Sequence, residues 1–302
     1  MGRYESNPRS LAEWLSEIRQ RRLVLPRFQR MEAWGPSQVQ ELLQSITDGI
    51  PIGAVLLLEV SGEPEFAYRV LEGAPEEGEP VREMILDGQQ RLTALWRALN
   101  DDYPHDRYFL RISTDGSVDP EDLPIVERVR LYCRGGKTFP MWVSSPEQVY
   151  ARGLIPISLL NPDREREANE WVDRVTARES REAYKALNQQ VGKYREQVKH
   201  FEIPYIRLKA GTEPEAVIAT FTKHDAGGCR CAQHVCLLLS RSQQRPGNVD
   251  LRRSVLDSGA AVRGELVEKR EGTVKQGLTT PVSRTWVEEL IVKWLHLEGF
   301  AA

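Results

Sequence analysis

An acid, a glycine, two amides and an arginine stand in one unbroken run, Asp87-Gly88-Gln89-Gln90-Arg91. Before them lies the apolar stretch Ile85-Leu86, and after them Leu92, Leu95, Trp96 and Leu99 recur at helical spacing. A strand that ends in such a turn and restarts at once as a helix presents unpaired N–H groups and the positive end of the helix dipole, a setting that stabilises a phosphate. Arg91 adds a cationic fork, Gly88 lets the backbone turn and approach a ligand, and Gln89 and Gln90 offer donors and acceptors. Asp87 can cap the helix, hold a metal ion or bind a ribose hydroxyl. The chemistry implied is nucleotide binding. The plainer alternative is an ordinary Asp-Gly turn with a solvated arginine, and five residues alone do not choose between the two.

Further signals lie upstream. Leu25-Pro26-Arg27-Phe28-Gln29-Arg30 is followed by Trp34, then by Gln38, Leu42-Leu43 and Ser45-Ile46, then by Gly49-Ile50-Pro51-Ile52-Gly53. This order resembles the N-terminal domain of GmrSD-type modification-dependent restriction systems, a branch of the ParB/sulfiredoxin-like superfamily. The similarity is close over residues 10–99 and looser to residue 223. It implies an α+β fold with a ParB/sulfiredoxin-like mixed sheet and helices over residues 8–223. It also implies that Asp87, Gly88, Gln89, Gln90 and Arg91 form a phosphate-binding turn that Gln29 and Arg30 approach. The ligand implied is a nucleoside triphosphate. Mg²⁺ would come with it, on phosphate oxygens and the Asp87 carboxylate. If the nucleotide is hydrolysed, Asp87, Gln90 and Arg91 are the residues nearest the chemistry. Neither a Walker-type loop nor a kinase signature is present.

The same resemblance implies sensing or regulation in a restriction or anti-phage defence system. DNA and a separate His-Asn-His-type nuclease subunit would be the partners. The five histidines, His105, His200, His224, His234 and His296, are dispersed without a metal-and-base pattern, so cutting is expected from another chain. A noncatalytic DNA-binding or protein-interaction module, or an inactive remnant, are the alternatives. Phe28 and Trp34 beside Arg27 and Arg30 have the character of a base-stacking surface, although aromatics set among apolar residues more often belong to a core.

The elements that must position these residues follow from periodicity. Ser10 with Glu13 makes a capping-box pattern ahead of Leu11, Trp14, Leu15 and Ile18, which predicts a helix over 11–20. Ser37 with Gln40 repeats the device ahead of Val39, Leu42, Leu43 and Ile46, and Gly49 with Pro51 ends that helix. Residues 54–60 and 84–86 read as strands around an acidic, proline-bearing surface loop at 72–80. Strands are predicted at 108–112 and 126–133 and one or two surface helices over 164–200, and the resemblance implies a strand at 201–206 and a helix over 214–223.

With 302 residues the chain can bury a large core, and 41 basic against 44 acidic residues, net charge −3, give no global case for nucleic-acid binding. No N-terminal segment joins basic residues to a continuous apolar run, and the longest apolar stretches are too short for a bilayer. A soluble, cytoplasmic protein with reduced thiols and no membrane partner is therefore expected.

Beyond Lys223 the resemblance fades. Cys229, Cys231, His234 and Cys236 are zinc-ligand types, but four ligands within eight residues leave little chain to wrap a tetrahedral ion. Ala232-Gln233-His234-Val235 is also what codons for Leu-Ser-Thr-Phe can yield one base out of register. Residues 224–302 are thus expected to form an atypical tail, frameshifted or loosely ordered, apart from an amphipathic stretch at 286–297.

Overall fold

The computed structural model describes residues 4–27, 29, 31–64, 66–112 and 124–212. The chain starts with strand β1 (Tyr4–Ser10), and Ser10 then caps helix α1 (Leu11–Arg19). Both halves of the capping box form: the Ser10 hydroxyl accepts from Glu13 N–H at 3.3 Å, and Glu13 Oε2 accepts from Ser10 N–H at 2.8 Å. Strand β2 (Leu23–Pro26) leads through the segment that carries Gln29 to helix α2 (Pro36–Thr47). This helix starts slightly earlier than Ser37 suggests. Gly35 is its N-cap, and Gln38 Oε1 accepts from Gly35 N–H at 2.8 Å, so the helix opens at a proline whose missing N–H costs nothing there.

Strands β3 (Val55–Glu59), β4 (Tyr68–Arg69) and β5 (Glu83–Asp87) follow, and β5 passes directly into helix α3 (Gln89–Asn100). Next come strands β6 (Asp106–Arg111), β7 (Ile125–Arg130), β8 (Tyr132–Arg134) and β9 (Lys137–Phe139), short helix α4 (Pro146–Tyr150) and strand β10 (Leu154–Pro156). Helices α5 (Glu165–Val175) and α6 (Arg181–Lys199) and strand β11 (Glu202–Leu208) complete the described elements. The single strand predicted at 126–133 is in fact broken. Buried Leu131 donates its N–H to His105 O at 2.7 Å, which ends β7 and lets β8 start a separate hairpin.

Six strands pair in the order β1-β11-β3-β5-β2-β4. The β11/β3 and β5/β2 pairs are parallel and the others antiparallel, so the sheet is mixed and the expected α+β class is observed. Alternation along its central strands explains why 55–58 and 84–86 are apolar throughout. Leu57 and Ile85 face the large core under α1, α2, α3 and α6, whereas Leu56, Leu58, Met84 and Leu86 fill a smaller cluster with Val24 and Phe66 on the opposite face. A second, three-stranded sheet has the order β10-β6-β7, and β8 and β9 pair only with each other. Among the described residues no helix is long and apolar enough to cross a membrane. The expectations for 214–223, for Cys229, Cys231, His234 and Cys236, and for 224–302 lie outside the described residues, as do Phe28 and Arg30.

Candidate functional site at the head of helix α3

The site is built where buried β5 stops and α3 begins. Gly88 is the N-cap residue at φ +95°, and Leu92 N–H donates to its carbonyl at 3.1 Å. Asp87 does not cap the helix with its side chain. Its Oδ1 accepts from the adjacent Gly88 N–H at 2.7 Å, and the half-exposed carboxylate stays at the rim. Glycine is favoured at 88, since a Cβ there would stand 3.0 Å from Val55 Cγ2 and 3.3 Å from Arg91 Nη2 in a backbone conformation that other residues rarely adopt.

Three sequence motifs separated by tens of residues converge on this turn. From the Pro26–Gln29 segment, buried Gln29 donates Nε2 to Ile85 O at 2.6 Å and Leu86 O at 2.8 Å, which fixes the amide and leaves its buried Oε1 without a protein partner among the described residues. From the glycine-proline segment, Ile52 O and Ala54 O accept from Arg91 Nη1 at 2.7 Å and Nη2 at 2.8 Å. From the segment before α2, Ala33 N–H and Trp34 N–H donate to Gln90 Oε1 at 2.8 and 3.2 Å, while Gln90 Nε2 donates to Met31 O at 3.2 Å. Gln90 is therefore a brace for residues 31–34, and Gln89 is buried and partnered as well. Asp87, Gly88 and Arg91 stand together at the head of α3, whereas Gln29 is bonded to the β5 carbonyls just before it and the Gln90 amide is engaged by residues 31–34.

Arg91 is the electrostatic centre. Its side chain is 18% exposed, neutral carbonyls hold it, and its nearest carboxylate oxygen among the described residues is Asp87 Oδ2 at 3.9 Å. Burial lowers the guanidinium pKa from its ordinary range, and Asp87 only partly opposes the effect. The cation also lies in the first helical turn, the end that favours negative charge. A mostly buried cation at the positive end of a helix, held by dipoles rather than a close counter-ion, is a site short of an anion. Asp87 alone could join a Mg²⁺ ion that phosphate oxygens also bind. Among the described residues no group of three or more His, Cys, Asp or Glu is placed to hold a metal by itself.

Sequence reading did not single out the flank of α3. A cleft of about 250 Å³ lies there between Trp34, Arg97, Tyr103, His105 and Tyr108. At its wall Arg97 pairs with Glu32 and packs over the Tyr103 ring at 4.2 Å, and Tyr103 donates its hydroxyl to Glu32 Oε1 at 2.8 Å. Burial first, and that carboxylate second, push the Tyr103 pKa up, so the hydroxyl stays a donor across the physiological range. The pattern Arg97–Glu32 gave no local signal because its members are far apart in the chain. Trp34 is packed against the core, as the plainer reading of that aromatic expects.

Comparison with known proteins adds two findings. A family model described as the N-terminal domain of the GmrSD restriction endonuclease matches residues 11–234. An uncharacterized protein of Methanocaldococcus jannaschii is 32% identical over 97 residues, a stretch that covers 30% of this chain and 17% of that relative. The chain thus spans less than a fifth of the length of the curated relative that it matches.

Proposed function

The chain belongs to the GmrSD restriction endonuclease N-terminal domain family, and from that premise we propose that it binds a nucleoside triphosphate at the head of α3 as the sensing or regulatory part of a restriction system. The observation that carries this reading is Arg91, a largely buried guanidinium in the first turn of α3 whose nearest carboxylate among the described residues is Asp87 at 3.9 Å. Phosphate oxygens would supply the missing negative charge. Gly88 lets the chain turn at positive φ beside Arg91 and Val55. If Mg²⁺ accompanies the phosphates, Asp87 is the carboxylate that would share it.

Binding is supported more directly than hydrolysis. Gln90, one candidate for orienting water, has both ends of its amide engaged by residues 31–34, which leaves Asp87 as the group at the rim able to orient a water molecule. Cleavage of DNA is assigned in this reading to a separate His-Asn-His-type subunit, with this domain reporting nucleotide state to it.

Titration calorimetry of the purified chain with ATP and GTP, with and without Mg²⁺, tests the proposal. Wild-type protein should bind a triphosphate, and Arg91→Ala should weaken that binding roughly tenfold or more, as expected for loss of charge-assisted hydrogen bonds of about 1.5–3 kcal/mol each. Equal affinity in a folded Arg91→Ala protein would remove Arg91 from the site. No binding of either triphosphate by the wild type would sink the reading itself.

A further inference from the structure

The hairpin of β8 and β9 stands apart from both sheets. Among the described residues its strands pair only with each other, every residue from Tyr132 to Thr138 is exposed, and the tight turn Gly135-Gly136 has φ +58° and +73°. Cross-strand partners share a face, so the register places Tyr132 beside Phe139 and Arg134 beside Lys137, all on one side, with Cys133 and Thr138 on the other. The two aromatic rings stack, 5.5 Å between centroids and 12° between planes, and Tyr132 keeps 57% of its surface exposed.

The cations on that face stand close together. Arg134 and Lys137 lie directly opposite each other, an arrangement that repels, and among the described residues neither pairs with a carboxylate. The acids of the neighbouring sheet are engaged elsewhere, Glu127 with Arg111 and Asp106 with Arg128 at 2.6 Å. Arg130, just before the hairpin, is a third exposed cation.

We propose that this face of the hairpin is a contact for single-stranded DNA, with Arg134 and Lys137 on successive phosphates and the exposed Tyr132 ring stacked on an unpaired base. Cations that track a backbone beside an aromatic platform are the means by which proteins hold unpaired nucleic acid, and an acidic protein partner would leave the ring without use. The inference rests on the DNA-directed part of the function proposed above and not on triphosphate binding.

The test is fluorescence anisotropy of the full chain with a short labelled oligonucleotide, single-stranded or annealed to its complement, over a range of salt. Wild-type protein should prefer the single strand. Arg134→Glu with Lys137→Glu should weaken that binding roughly tenfold or more and reduce the salt slope by about 1.4, the value for two lost phosphate contacts. Tyr132→Ala should weaken it by roughly tenfold with the slope unchanged. Thr138→Glu, on the opposite face, should change little. The proposal is overturned if the wild type does not bind the single strand, if duplex binds more tightly, or if Thr138→Glu loses as much as the double variant. Because all these variants should keep wild-type triphosphate binding, failure here and failure at Arg91 are read separately.

Discussion

Arg9 and Arg91 are both arginines drawn into the protein, and the structure treats them in opposite ways. Arg9 meets Glu83 through two parallel hydrogen bonds of 2.8 and 3.0 Å, with the rings of Trp14 and Tyr205 4.4 and 4.6 Å from its guanidinium carbon. Arg207 shares the same carboxylate at 3.1 Å and reaches Glu5 at 2.6 Å. Although burial alone would lower the Arg9 pKa, Glu83 reverses the effect and raises it. At Arg91 burial wins and the pKa falls. The Arg9 region is electrostatically complete and holds β1, β5 and β11 together. At Arg91, among the described residues, neutral carbonyls hold the guanidinium and the nearest carboxylate, Asp87, stands 3.9 Å away.

The contrast can be broken most forcefully at its complete end. Glu83→Ala would leave two buried or half-buried guanidinium groups without their shared carboxylate and is expected to destabilise the domain by about 3–5 kcal/mol in urea unfolding. A loss below about 1 kcal/mol would mean that the Arg9 region is not the closed network described. At the other end, saturation with triphosphate should raise stability, by about 2.7 kcal/mol at a hundredfold excess over Kd, and should do so in the wild type but much less in Arg91→Ala. A melting temperature indifferent to triphosphate would place the two arginines in the same class.

Gly88→Ala sharpens the comparison, because it alters the turn without touching either charge. Strain at positive φ should cost roughly 1–2 kcal/mol, and the new methyl group against Val55 and Arg91 should lower triphosphate affinity out of proportion to that cost. Affinity that merely follows stability would count against a phosphate at this turn. The smallest effect is expected at the exposed Arg174–Glu147 pair, where the hydrogen bond from Arg174 is the largest cause holding the Glu147 pKa at about 2. Such a lowered carboxylate lends stability that is present above its unfolded value near 4.5 and is lost as pH falls toward 2. Carboxyl titration by NMR should show Glu147 returning toward the ordinary range in Arg174→Ala, with little change in the melt at neutral pH.

Much of the scaffold was readable from residue spacing. Ser10 with Glu13, the apolar stripe of α3 and the apolar runs of β3 and β5 are local patterns, and local patterns are what a sequence displays directly. Strand β1 was not readable, since Tyr-Glu-Ser-Asn-Pro-Arg-Ser has no strand alternation and becomes a strand only by pairing with β11. The site divides in the same manner. The Asp-Gly turn and Arg91 stand where the motif puts them, but Gln90 serves a backbone 56–59 residues away, and no local pattern says whether an amide faces a ligand or a distant loop. The Arg97–Glu32 pair and the cation pair of the hairpin were hidden for the same reason, as both depend on register and folding across the chain.

Strand β1 also sets a timetable. Its seven residues find partners only between Glu202 and Leu208, so during synthesis they must wait unpaired while some two hundred later residues are made. At about 5–20 residues per second that interval is roughly 10–40 s. Through it the large core lacks its outer strand, and Arg9 has not been brought to Glu83 by the closing of the sheet. Ribosome-stalled chains ending before β11 should accordingly be cut readily near β1 by added protease, and protection should appear once β11 has emerged. Two strands that lie side by side in the native sheet are thus made about two hundred residues apart.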